Sequence, residues 1–69
     1  MIDLAKKRKI LGLTQQEVAD AAQIKRSYYG LIENGERTPL PHNAKRIASV
    51  LDFDWTLFYE TPETEEKEG

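Results

Sequence analysis

Between residues 3 and 59, apolar side chains recur three and four positions apart, the helical period, and nowhere alternate as they would along a strand. Residues 3–11, DLAKKRKIL, put Leu4, Arg8 and Leu11 on one face of a short helix that Gly12 then stops. In LTQQEV, Thr14 stands three residues before Glu17, the spacing of a reciprocal capping box, and Leu13 and Val18 bracket the cap as a hydrophobic staple. Val18, Ala19 and Ala22 continue this second helix as a stripe of small residues, which lets a neighbouring helix approach closely. A third helix over 25–34 turns Ile24, Tyr28 or Tyr29, and Ile32 inward, and Gly35 closes it because glycine accepts positive φ at little cost. After the loop ERTPLP, Pro41 suits a first helical turn. Ala44, Ile47, Ala48 and Leu51 then form the clearest core stripe in the chain. Asp54 can cap a fifth helix, WTLFYE, that ends before Pro62. The pattern predicts an all-α domain of five short helices.

The chain has 69 residues and no cysteine, so one small core must be held by helix packing or self-association, without disulfides or thiolate metal sites. No apolar run reaches the roughly 20 residues of a membrane span, and the N-terminus has no signal-peptide character. A cytoplasmic protein with no membrane contact is expected. The net charge of -2 hides an asymmetry. Residues 60–69, ETPETEEKEG, hold five Glu and one Lys, whereas residues 1–59 hold nine Lys or Arg against seven Asp or Glu. The body is thus +2 and the tail -4. The two are expected to be a folded domain (1–59) and a flexible acidic C-terminal tail (60–69), because the tail lacks the apolar residues that would offset its ordering. Enzymatic chemistry has little to work with. There is one histidine, His42, at a helix start and expected in solvent, and no nucleophile–base arrangement or phosphate-cradling glycine loop. No catalytic residue, metal, cofactor or small-molecule ligand is expected.

The second helix ends near Ala22 and the third begins near Lys25, a link that fits a helix-turn-helix. In such a unit the second helix can enter the major groove of DNA while the first crosses the backbone. LGLTQQEVADAAQIKRSYYGLIENGERTP, continued by IASVLDF, resembles the helix-turn-helix of phage-repressor and Cro-like transcription regulators, the XRE family, over about residues 3–58. GLTQ, EVA, YYGLIENG, Pro39 and the IA..L pattern all occur at family spacing without a gap. The resemblance implies a lambda-repressor-like domain that binds double-stranded operator or promoter DNA, most simply as a homodimeric repressor. The alternatives are the DNA-binding antitoxin of a toxin–antitoxin pair, or a helix-turn-helix used only for protein–protein interaction.

The resemblance also implies roles for particular positions. Gln15 falls where the family glutamine meets the DNA backbone. Lys25, Arg26, Ser27, Tyr28, Gly30 and Leu31 fall on or near the recognition surface, and Asn34 and Arg37 where the chain approaches phosphate. Arg8 and Glu33 match a partly buried ion pair of structural role. Tyr29 matches a core position. Three residues depart from the pattern. Gln23 replaces the turn glycine and must adopt a left-handed backbone if the turn is kept. Lys25 stands where a capping Ser, Thr or Asn is usual and opposes the helix dipole. Asp52 replaces the glycine after the fourth helix, which leaves the shape of that corner open.

Each position also has an ordinary reading. Lys25, Arg26 and Arg37 are alternatively solvated charges, and Gln15 and Gln16 mere helix-start polar residues. Arg26 has the fork geometry for guanine O6 and N7, and Tyr28 could give its hydroxyl to phosphate or simply pack on the surface. Gly30 serves either close approach to DNA or helix packing. Leu57 and Phe58 are expected in the core. Trp55 and Tyr59 remain as spare aromatics, assigned to a homodimer contact.

Overall fold

The computed structural model describes residues 2–59; Met1 and residues 60–69, and with them the expected acidic tail, lie outside the described residues. Four α-helices and a 3-10 helix follow in order: α1 (Leu4–Ile10), α2 (Gln15–Ala22), α3 (Arg26–Glu33), α4 (Pro41–Leu51) and η1 (Trp55–Tyr59). No strand occurs among the described residues. Asp3 caps α1 by accepting from the Lys6 amide, and α2 begins with the complete capping box of Thr14 and Glu17. Pro41 opens α4. Helix α4 is the hub: α2, α1 and η1 all pack on it, and α2 also packs on α3.

All four α-helices close in the same way. A left-handed residue follows each, and the next amide reaches back to a carbonyl five positions earlier, the Schellman arrangement. The left-handed residues are Gly12, Gln23, Gly35 and Asp52, with φ of 73°, 62°, 80° and 61°. The closing bonds run from Leu13 to Arg8 (3.1 Å), Ile24 to Ala19 (2.9 Å), Glu36 to Leu31 (2.9 Å) and Phe53 to Ala48 (3.0 Å). Leu13, Ile24 and Phe53 then fold back against the core, so three of the four turns are anchored by the residue that completes them, whereas Glu36 is exposed. Gln23 and Asp52 adopt the glycine conformation, and both corners keep the helix-closing geometry at a cost of about 1–2 kcal/mol each.

The core comprises Leu4, Val18, Ala19, Ala22, Tyr29, Ile32, Ala44, Ile47, Leu51 and Phe58. Alanines at 19, 22 and 44 are 0–1% exposed, so their small size is explained by packing. One expectation is refined and two are corrected. The segment WTLFYE does form a helix, over Trp55–Tyr59, but of the 3-10 type. Asp54 accepts from the amide and hydroxyl of Thr56, two residues on, while the Leu57 amide bonds to the Asp54 carbonyl in an i to i−3 pattern. Such a turn tightens the chain, and a spacing of three then puts Trp55 and Phe58 on one inward face. Leu11 is not on the buried face of α1; it lies in the cap, 47% exposed, because the chain leaves the helix there to turn through Gly12. Leu57 is only half-buried, since the inward face of η1 is taken by its neighbours. Among the described residues, no helix is long and apolar enough to cross a membrane.

Candidate nucleic-acid interface

Helix α3 has two unlike faces. Tyr29 and Ile32 are buried, while Arg26, Ser27, Leu31 and Asn34 are exposed, with the half-buried Gly30 between them. Residues 26, 27, 30, 31 and 34 recur at helical spacing, so they form one continuous stripe. At its N-terminal end stands Lys25, exposed and extended, whose side chain makes no cap bond. No acidic residue lies in the first turn. The orphan amides that begin every helix, together with two cations at positions 25 and 26, leave this end electropositive.

Two elements, α1 and α2, hold the stripe in place through one carboxylate of α3. Arg8 of α1 donates from Nε and Nη2 to the two oxygens of Glu33, at 2.9 and 3.1 Å, and from Nη1 to the Leu13 carbonyl at 2.9 Å. Gln15, at the start of α2, donates from Nε2 to Glu33 at 3.0 Å. The Arg8 and Glu33 side chains are 13% and 7% exposed. Burial pushes the Glu33 carboxyl up, but the hydrogen bonds from Arg8 and Gln15 and the charge of Arg8 together outweigh it and hold the group below its ordinary value. Tyr29 is fully buried beside this pair. Its hydroxyl makes no hydrogen bond to another protein group, and burial, with Glu33 nearby, pushes its pKa up. The network fixes α3 relative to α1 and α2 and neutralises a carboxylate that would otherwise stand at the edge of the polar stripe. Gln15 is therefore half-buried with its amide nitrogen engaged, leaving its carbonyl oxygen outside the network.

Tyr28 is also engaged. Its hydroxyl accepts from Asn43 Nδ2 at 3.3 Å, and the Arg37 guanidinium lies 5.9 Å from its ring centroid. Arg37 is thus brought beside α3 by a cation–π contact. Asn43 had no place in the sequence reading. Its only signal is its position beside Ala44, at the edge of the apolar stripe of α4. The two spare aromatics both have internal partners. Trp55 meets Tyr59 edge to face at 5.8 Å between centroids, with the Lys45 ammonium 5.0 Å from its ring. The Tyr59 hydroxyl donates to the Pro39 carbonyl at 2.8 Å. Trp55 is half-buried; Tyr59 stays 37% exposed, and Leu40, next to its acceptor, 61%.

Two comparisons bear on this arrangement. A family model described as helix-turn-helix matches residues 4–58, which is α1 through most of η1. A protein of Bacillus subtilis (strain 168), the uncharacterized HTH-type transcriptional regulator YqaF, is 54% identical over 57 residues, 83% of this chain and 75% of that protein. With the α2–α3 unit, its left-handed turn at Gln23 and the match running through nearly every described residue, the chain belongs to the XRE-type helix-turn-helix family of transcriptional regulators.

Proposed function

We propose that the chain binds double-stranded DNA sequence-specifically and represses transcription, with α3 in the major groove and α2 crossing the backbone. The observation that carries this is the exposed stripe of α3, polar and cationic at its N-terminal end, on a helix whose opposite face is locked into the core. Arg26 supplies a fork suited to guanine, and Ser27 and Asn34 supply short donors and acceptors. Lys25 and Arg37 supply phosphate contacts at either end of the stripe. Occlusion of a promoter is the simplest mechanism for a domain of this size. A homodimer would read two half-sites about 34 Å apart, and the surface we assign to it is Trp55 and Tyr59, now extended by exposed Leu40.

The test is fluorescence anisotropy on labelled duplexes from upstream of the chain's own coding sequence, against random DNA, over a range of salt. Preference for one duplex is expected. If Lys25 and Arg37 of both subunits neutralise phosphate, the log–log salt slope should be roughly -3 to -4, at about 0.9 per phosphate. Equal affinity for every duplex, or none at low salt, would return the chain to a protein-interaction module.

A further inference from the structure

Gly30 sits in the middle of α3, flanked on the exposed stripe by Arg26 and Ser27 one turn before and Asn34 one turn after. Glycine ranks lowest in helix interiors after proline, so a mid-helical glycine in so short a helix asks for a reason. Three ordinary reasons fail. The backbone does not require it: the positive-φ glycines among the described residues are Gly12 and Gly35, and Gly30 is not among them. It caps nothing, since α3 runs on to Glu33. Packing does not require it either. A Cβ built at Gly30 meets, within 4 Å, no atom beyond its two chain neighbours and the backbone of its own helix. The contrast with Ala19, Ala22 and Ala44 is direct, because those small residues are buried under neighbouring helices.

We infer that Gly30 is a steric clearance for DNA: the missing side chain leaves a notch between Arg26 and Asn34 that receives the edge of a base pair in the major groove. The inference rests on the proposed insertion of α3 and names the residue that sets how deeply it can insert. A protein atom does not need the space, so the partner does. A methyl group at this point would hold the helix off the bases and lengthen the hydrogen bonds offered by Arg26, Ser27 and Asn34. Hydrogen bonds weaken steeply with such displacement, so a loss of specific contacts follows.

The experiment compares wild type, Gly30→Ala and Gly30→Leu, measuring thermal unfolding of the free protein and anisotropy on the preferred duplex. Both variants should melt higher, by about 4–8 °C, the shift expected in a domain of this size for removing a mid-helical glycine. Both should also bind more weakly. Gly30→Ala should lose about tenfold, the size of one specific base contact, and Gly30→Leu more. A gain in stability with a loss in affinity is the signature of clearance. Unchanged affinity in Gly30→Ala overturns the inference, and so does a lowered melting temperature, which would mean that the protein itself needs the space. Failure of the wild type to prefer any duplex is a separate result, since it refutes the DNA-binding reading.

Discussion

Replacing Arg8 by methionine removes three hydrogen bonds at once and keeps most of the aliphatic stem. Glu33 is left with the single bond from Gln15 at 3.0 Å, in a site where only 7% of its side chain reaches solvent. The Leu13 carbonyl loses its guanidinium partner as well. Stranding one member of a buried pair costs about 3–5 kcal/mol. The partial exposure of the site and the surviving Gln15 bond put this variant near the lower end, about 3 kcal/mol. A domain of this class has about 5–15 kcal/mol in total, so the loss is a large fraction. Urea unfolding followed by the fluorescence of Trp55, the one tryptophan, gives the readout. With a slope of about 1 kcal/mol per molar for so small a protein, the midpoint should fall by about 3 M.

Two controls make the reasoning refutable. In the double variant Arg8→Met, Glu33→Gln, no charge is stranded, so it should be more stable than Arg8→Met alone. The pH dependence follows from the sign of the shift. In the wild type the folded Glu33 pKa is depressed, so its contribution is complete above the unfolded value, about 4.3, and is lost as pH falls through the lower folded value. Without Arg8, burial becomes the leading influence and raises the folded pKa. The resulting destabilisation is full at neutral pH and relieved as the carboxyl protonates. The gap between wild type and Arg8→Met should therefore be widest near pH 7 and narrow towards pH 4. A penalty below about 1 kcal/mol, the range of exposed pairs, or a gap independent of pH, would refute the assignment of a buried, charge-bearing strut.

Converting both Lys25 and Arg26 to alanine should weaken binding to the preferred duplex and reduce the salt slope, with helical circular dichroism retained; equal affinity would show that the grip lies elsewhere. Gln23→Gly should stabilise the domain by about 1 kcal/mol by relieving the left-handed strain, raising the melting temperature without changing DNA affinity. A chain ending at residue 59 loses a net charge of -4. If residues 60–69 compete with DNA for the cationic stripe, it should bind severalfold more tightly at low salt. The gain should fade as the screening length falls to about 8 Å at physiological salt; unchanged affinity at low salt would end that idea.

The helices were legible because their signals are local. Thr14 with Glu17, Asp54 with its turn, and the Ala44, Ile47, Ala48, Leu51 stripe each need only a few neighbouring residues to be read. The end of α1 was less so, since an apolar residue at the right spacing, Leu11, falls beyond the point where Gly12 turns the chain. η1 was legible as a helix but not in its type, for a related reason. An aspartate before a short apolar segment looks like a cap, but whether it bonds two or three residues on decides between a 3-10 and an α turn.

The site was legible in its positions and less so in its attachments. The exposed stripe follows from helical spacing once α3 is placed. That Gln15 would be tied to Glu33, that Asn43 would hold the Tyr28 hydroxyl and that Tyr59 would reach Pro39 are contacts between residues 15 to 20 positions or so apart. Such pairings depend on how α2, α4 and η1 meet, which no local pattern encodes. For Gly30 the sequence left two explanations level. Only the open space around its Cα separates them.

The distribution of local misfit then carries its own information. Helices α1 and α2 begin with side-chain caps and α4 with a proline, whereas α3 begins on an uncapped lysine and carries a glycine at its centre. Gln23, just before it, adopts a conformation glycine would take more cheaply. Against the best local choices these cost about 1 kcal/mol for the cap, about 1 for the glycine and about 1–2 for the turn, all within residues 23–30. The bonds that Arg8 and Gln15 make to Glu33 hold the far end of the same helix and offset part of that cost. Natural sequences break local rules mainly where function demands it. The two departures on the exposed side of α3 are an unneutralised helix start and an unfilled notch, and in the proposed complex a polyanion with a grooved surface supplies what each lacks. Gln23 is different, because its strain lies in the turn before α3 and not on the stripe itself. Relieving it should therefore change stability alone, while filling the cap or the notch should change stability and affinity in opposite directions.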